Sequence, residues 1–521
     1  MPPVTLTIFD GAGTIGGNKI LLEDGESRLF LDFGTSFSTR ALYFEEFLPP
    51  RSRRGLLDLV HMGLLPPLRG VYRTDMEDPE GEVWDRARRL PGYRECTVKA
   101  VLLSHAHMDH CGSIAFLDPR IPVVCTAMTA YVCKAIQDCG SPRFEGEICY
   151  TTPKAAGEDA TVGAASKKEP YFRRPFLVVD GVPRDKGEFW NLSPSTARGR
   201  AFPTCPLGTL GAPGSRGLLS FPVDHSIHGA AALGVETSAG WVVYTGDFRR
   251  HGAAGALTET FIAAAARLSP AALITEGTNI DAPPGPSETE AFDACLSAVR
   301  DAAGRLVVAD FGPRNVERLL AFLEIARLTG RQLLVMDKDA YLLTAMHAVD
   351  PAIPTPATER TMAVYRRALR GPATWVGRIR SWYPHQVTAR QVRQDPGAYI
   401  LCISFLDVTE LIDIDPPSGV WIYSSSEPHN EEQQIDLWRL QNWLARFHLT
   451  PVGVETSPSP YHASGHISGP ELLEAIRQIR PACVIPVHTA APHRFREALA
   501  GEMPVILPAP GVPITVREGS P

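Results

Sequence analysis

The sequence is short of several things at once. Among its ten cysteines (96, 111, 125, 133, 139, 149, 205, 295, 402 and 483) there is no C-x-x-C pair, which excludes a thiolate zinc knuckle and a thioredoxin-type motif. The cysteines read instead as buried free thiols of a reducing compartment. No apolar run is as long as a membrane span, and the start MPPVTLTIFDGAG lacks the basic segment and long apolar stretch of a secretory signal. No membrane association and a cytoplasmic location are therefore expected. An excess of positive charge is missing as well: 51 Lys and Arg stand against 58 Asp and Glu, a net charge of −7. A generally basic nucleic-acid coat is excluded, and only a local basic surface could collect phosphate.

What is present is a folded protein too long for one hydrophobic core, with 521 residues and 44% apolar content. The first part alternates β-branched runs with Gly and Asp turns (VTLTIFD, GAGTIGGN, KILLED, RLFLDFG), the pattern of strands and hairpins. Residues 36–95 turn Arg-rich and helical in pattern (FSTRALYFEEFL, RGLLDLVHMGLL), and 140–217 read as long loops broken by FLVVDG. AALGVE and GWVVYTGDF pair through a TSAG turn. Beyond Pro270, strand and helix alternate (AALITEG, SETEAFDACLSAVRDAAG, RLVVADF, ERLLAFLEIARLTG, RQLLVMD), which predicts a parallel sheet with crossover helices.

Residues 103–110, LSHAHMDH, crowd three histidines and an aspartate at the end of the strand TVKAVLL. Such groups are costly to bury unless something satisfies them, and a divalent metal satisfies all four. His225 (FPVDHSIHG), Asp247 (VVYTGDF) and His488 (CVIPVHT) each follow a β-branched run, so each can reach the same sheet edge. The expected division is His105, His107 and His225 on one ion, Asp109, His110 and His488 on the other, and Asp247 between them. His228, His251, His462 and His493 read as ordinary loop or cap residues.

These residues, with Asp32 in RLFLDFG, resemble the metallo-β-lactamase superfamily. The resemblance implies an α/β fold, an αββα sandwich with a dinuclear site of two Zn2+ per chain (Mn2+ the alternative), and makes Asp32 an orienting residue, not a ligand. HASGHISGPELLEAIRQIRPACVIPVHT further resembles the β-CASP subgroup of nucleases, in which an α/β module interrupts the sandwich. SETEAFDACLSAVRDAAGRLVVADFGPRNVERLLAFLEIARLTGRQLLVM and IYSSSEPHNEE resemble the ribonuclease J branch. Residues 1–270 and 451–521 would then form the lactamase part, with insertions near 36–95 and 140–217, and 271–450 the β-CASP domain. The separate C-terminal domain of typical ribonuclease J is expected to be missing, since thirty-three residues follow His488. By position, Glu276 (LITEGTN) matches the first acidic motif, His466 (ASGH) the second and His488 the third.

The chemistry implied is phosphodiester hydrolysis by a two-metal-activated hydroxide, with His466 as general acid and Glu276 orienting it; a loop histidine bonded to backbone is the bland alternative for His466. Ser424, Ser425 and Ser426, with Ser464 and Gly465, would form an anion nest or be plain turn chemistry. Residues 360–393 hold eight arginines, no lysine and no acid, among Tyr365, Trp375, Trp382 and Tyr383. Arg366, Arg367 and Arg370 there would line a substrate path, or belong to a solvated helix face or subunit interface. The reading that results is a nuclease acting on single-stranded RNA. A DNA nuclease of the same subgroup and a non-catalytic RNA-binding scaffold are the alternatives, and a homo-oligomer is compatible.

Overall fold

The computed structural model describes residues 3–140, 144–194, 199–210, 217–312, 314–426, 431–454 and 458–517. The first stretch folds as its alternation predicts. Val4–Asp10, Lys19–Asp24 and Ser27–Phe33 run antiparallel, and Ala100–Leu102 and Val123–Cys125 add parallel strands beside them. Phe176–Val178, Gly208–Thr209 and, at the opposite edge, Pro513–Val516 complete an eight-stranded sheet. A five-stranded sheet holds Leu218–Pro222, Ala231–Thr237, Gly240–Tyr244, Ala272–Thr275 and Val484–Pro486 in that order.

Period two decides which side chains meet. Leu6, Ile8, Ile20, Leu22 and Leu31 of the larger sheet share one core with Leu233, Val235, Val242, Ile274 and Ile485 of the smaller, so the two sheets lie face to face. Their alternates point outward. Leu21, Phe30 and Phe33 pack beneath the helix Ala127–Cys139, whereas Ala232, Val243 and Leu273 pack against the helices Gly255–Leu268 and Gly469–Ile479. The result is an αββα sandwich.

Between Ala272–Thr275 and Val484–Pro486, neighbours in one sheet, the chain departs to build a second sheet and returns. That sheet has seven strands, all parallel: Gln386–Thr388, Met362–Arg366, Gln332–Val335, Tyr399–Cys402, Leu306–Asp310, Gly419–Tyr423 and Leu449–Val452. Its helices begin and end on the signals in the sequence. Ser287 and Glu290 form a capping box for Glu288–Asp301, and Gly330, at φ +67°, ends Val316–Thr329 in the left-handed conformation that glycine favours. The Tyr341 hydroxyl donates to buried Asp138 at 2.8 Å, tying this module to the sandwich.

The insertion at 36–95 departs from expectation. The helical pattern of residues 37–48 yields only Phe37–Ala41, and Leu42, Phe47 and Leu48 stay exposed. An apolar stripe specifies a helix only where something stands ready to cover it. Residues 140–217 are not loops throughout either: Lys154–Ala156 pairs with Val162–Ala164, and Tyr150–Thr151 with Phe172–Arg173. Among the described residues no helix is long and apolar enough to cross a membrane.

Candidate metal centre

Parallel pairing brings strand ends to one edge, and the predicted groups gather there. His105, His107, Asp109 and His110 follow Ala100–Leu102; His225, Asp247, Glu276 and His488 follow Leu218–Pro222, Gly240–Tyr244, Ala272–Thr275 and Val484–Pro486. Ligand atoms of His105, His107, His225 and Asp247 lie within 4.8 Å of one another, and so do those of Asp109, His110, Asp247 and His488. Asp247 belongs to both sets. Asp247, Glu276, His466 and His488 form a third, overlapping group of the same span.

The outer bonds of the rings settle which nitrogens face inward. His225 Nδ1 lies 2.5 Å from the Gly465 carbonyl, to which it must donate, so its Nε2 carries the lone pair. His110 Nδ1 likewise donates to Asp32 Oδ2 at 2.7 Å, and His488 Nδ1 meets Thr278 Oγ1 at 2.8 Å. His107 Nδ1 then sits 3.2 Å from His105 Nε2 and 3.1 Å from His225 Nε2, three ring nitrogens converging on one point. Asp32 is fully buried and accepts from Ser104 N, Ser104 Oγ and the Tyr244 hydroxyl, each at 2.7 Å, besides His110. It holds the loop that carries the histidines. Asp32 and His488 both adopt positive φ, +57° and +51°, a conformation that costs a side-chain-bearing residue about 1–2 kcal/mol and is retained where the surroundings impose it.

Electrostatics describe a site that draws in positive charge. Burial holds the His105 and His225 imidazoles well below their usual range and His107 down to about 3, where the Arg314 charge adds to the effect. These rings are neutral, the form that ligates metal. Burial also opposes charge on His110, but Asp247 and Asp109 overcome it and lift its proton affinity well above the ordinary. Asp247 is driven well below the carboxylate range by His110, His488 and His466 despite burial. Among the described residues Asp247 Oδ1 is buried without a hydrogen-bonding partner, and His110 Nε2 faces Asp247 Oδ2 at 3.1 Å without hydrogen-bond geometry. A His and Asp donor set with converging lone pairs and an orphaned inward oxygen fits divalent metal of the zinc or manganese type.

His466 stands beside this cluster. Its Nδ1 contacts Glu276 Oε2 at 2.9 Å, and Glu276 is fixed by the Phe248 and Thr278 amides. Burial disfavours the imidazolium, but Glu276 and Asp247 outweigh that and raise its pKa to about 9. The loop that presents it is braced. Arg249, fully buried, pairs with Asp224, Glu288 and Glu317 and donates to the Ser464 carbonyl at 3.0 Å, and His251 Nε2 meets the same carbonyl at 2.8 Å.

Other expected residues have internal work. Ser424 Oγ accepts from Arg318 at 2.6 Å and donates to the Tyr461 carbonyl, and Ser464 Oγ accepts from Asn279 at 3.0 Å and from the His466 amide at 3.2 Å. Ser425 is half-buried and Ser426 exposed; residues 427–430 of IYSSSEPHNEE lie outside the described residues. Arg366 and Arg370 are exposed, whereas Arg367 pairs with Glu410 at 2.8 Å. Arg366 ends the strand Met362–Arg366, three strands from Leu306–Asp310, and Arg367 and Arg370 follow it. Tyr365 and Tyr383 are buried and Trp375 half-buried, whereas Trp382, stacked on Tyr341, stays partly exposed. Tyr244, Thr278, Arg249 and Arg314 gave no sign in sequence; the first reads there as a core aromatic, and the rest as ordinary loop residues.

The model of the metallo-β-lactamase superfamily matches residues 80–130. The chain is 27% identical to ribonuclease J of Mycobacterium tuberculosis over 51% of its length and 46% of that protein. It is 24% identical to ribonuclease J of Sinorhizobium meliloti over 78% and 60%, and 21% identical to that of Helicobacter pylori over 95% and 57%. The chain thus spans about half the length of the curated relatives it matches. A crystal structure from Enterococcus faecalis V583, described as a protein of unknown function, superposes with a TM-score of 0.66 at 21% identity, covering 98% of this chain and all of the other. That likeness is one of fold.

Proposed function

We propose that this chain, ribonuclease J-like and of the metallo-β-lactamase superfamily, is a metal-dependent nuclease that hydrolyses phosphodiester bonds of single-stranded RNA. The observation that carries the proposal is the position of His466, its Nδ1 held by Glu276, at the rim of overlapping groups of metal-ligating side chains. In this reading His105, His107, His225 and Asp247 hold one ion, and Asp109, His110, Asp247 and His488 the other. Bound ions supply a nucleophile at neutral pH and neutralise charge on the phosphate.

The protein's own groups do the rest. Asp32 holds the ligand loop through Ser104 and fixes His110 in its Nδ1–H tautomer, as Thr278 braces His488. Glu276 anchors His466 Nδ1, which leaves Nε2 to carry a proton to the departing sugar oxygen. The proposed division puts the lactamase part at 1–270 and 451–521 and the β-CASP module at 271–450; Ala272–Thr275 nevertheless pairs in the five-stranded sheet and Leu449–Val452 in the seven-stranded one, so each crossover falls a few residues beyond those bounds.

The test is incubation of purified, metal-loaded protein with end-labelled single-stranded RNA and DNA, bearing 5′-phosphate or 5′-hydroxyl, with and without chelator. Chelator-sensitive cleavage of RNA is expected. Cleavage of DNA alone would replace the substrate, and tight RNA binding without cleavage would make the chain a scaffold.

A further inference from the structure

The arginines in the elements that close over the cluster are mostly neutralised. Arg249 is taken by three carboxylates, and Arg318 by Glu288, Ser424 and the Tyr461 carbonyl. Arg314 is different. It follows Leu306–Asp310 of the seven-stranded sheet, two residues before the helix Val316–Thr329, and is half-buried. Among the described residues no carboxylate lies within ion-pair distance of it. Its one hydrogen bond among the described residues is long, from Nη1 to the Ala106 carbonyl at 3.5 Å, and Ala106 lies between His105 and His107. A guanidinium from one module therefore leans over the histidine loop of the other, with most of its five donors uncommitted.

We infer that Arg314 binds a non-bridging oxygen of the scissile phosphate, so that the substrate is gripped from the inserted module while its other face meets the lactamase part. The inference deepens the nuclease reading and rests on it. A planar fork suits a phosphate better than an ammonium does, and a cation without an internal partner is one whose charge remains available to a ligand. Phosphoryl chemistry gathers negative charge as the new bond forms, and a fixed guanidinium answers that charge without reorganising.

The probe is inorganic phosphate, titrated calorimetrically into metal-loaded protein, with metal content and thermal denaturation measured in parallel. Arg314→Gln should weaken phosphate binding about ten- to a hundredfold, the usual worth of a hydrogen bond to a charged group, and leave metal content unchanged. Arg314→Lys keeps the charge but not the fork, and should fall between. Hydrolysis of bis(p-nitrophenyl) phosphate should follow the same order. Wild-type phosphate affinity in both variants, or in Arg314→Lys alone where Arg314→Gln fails to fold, overturns the assignment, as does a wild-type protein that binds no phosphate. Loss of metal together with phosphate binding also overturns it, because Arg314 would then be a clasp on the ligand loop. Weakened phosphate binding in a protein that cleaves no RNA would leave Arg314 in place and remove the nuclease reading instead.

Discussion

His466 Nδ1 lies 2.9 Å from Glu276 Oε2, although the two residues are 190 positions apart. The contact favours the imidazolium of His466, whereas His488 faces Asp109 at 3.1 Å. His466→Ala should leave both metals bound and lower turnover by about 10²–10⁴, the range for a positioned general acid. A substrate with a good leaving group should recover much of the loss. His488→Ala should instead lower metal occupancy; elemental analysis of the two variants separates the roles.

The pH profile carries the same relationship. In the proposed role His466 is an acid only while protonated, so turnover should fall on the alkaline side as its proton is lost. Glu276 favours the imidazolium. Glu276→Gln should therefore shift the alkaline limb to lower pH, where a merely structural Glu276 would lower the rate equally at every pH.

Metal content is the next measurement. The purified protein should hold close to two transition-metal ions per chain after reconstitution. His107→Ala and Asp247→Ala should lose metal and activity together, with Asp247→Ala depleting both sites because its carboxylate belongs to both groups.

Arg249 predicts a stability effect. Its removal leaves Asp224, Glu288 and Glu317 without their shared counter-charge, and breaking a buried ion network by one partner costs about 3–5 kcal/mol. Arg249→Met should show that loss in denaturant unfolding. It should also slow single-turnover cleavage, since the Ser464 carbonyl that precedes His466 loses its support.

The arginine island divides. Arg366→Gln and Arg370→Gln, both at exposed positions, should each reduce the salt slope of RNA binding by about 0.7 if they meet phosphate. Arg367→Gln should reduce stability, because Arg367 answers buried Glu410. An unchanged slope in the exposed pair assigns them to a solvated face.

The contrast between that island and Arg314 shows where sequence reading runs out. Density of arginine draws attention to 360–393, yet what makes a cation available is the lack of a partner in space, which spacing does not reveal. LSHAHMDH was legible because no packing arrangement explains four such groups together. Tyr244 was not, since a tyrosine inside GWVVY reads as core until the fold brings its hydroxyl to Asp32. Residues 37–48 mislead for the complementary reason: their apolar spacing matches a helix, and the fold leaves Leu42 and Phe47 uncovered. Strand and helix alternation after Pro270 was readable because crossover helices and parallel strands leave distinct periods; the excursion itself only showed once Ala272–Thr275 paired with Val484–Pro486.

That pairing has a consequence for the order in which a working molecule can arise. Val4–Asp10 pairs with Pro513–Val516, a strand made some five hundred residues later. Ala272–Thr275 likewise waits through the synthesis of an entire seven-stranded module for Val484–Pro486. Seven of the nine grouped side chains exist by then, yet His466 and His488 are still to come. The cluster is accordingly incomplete until that long-range closure, which places the chain among slow-folding topologies.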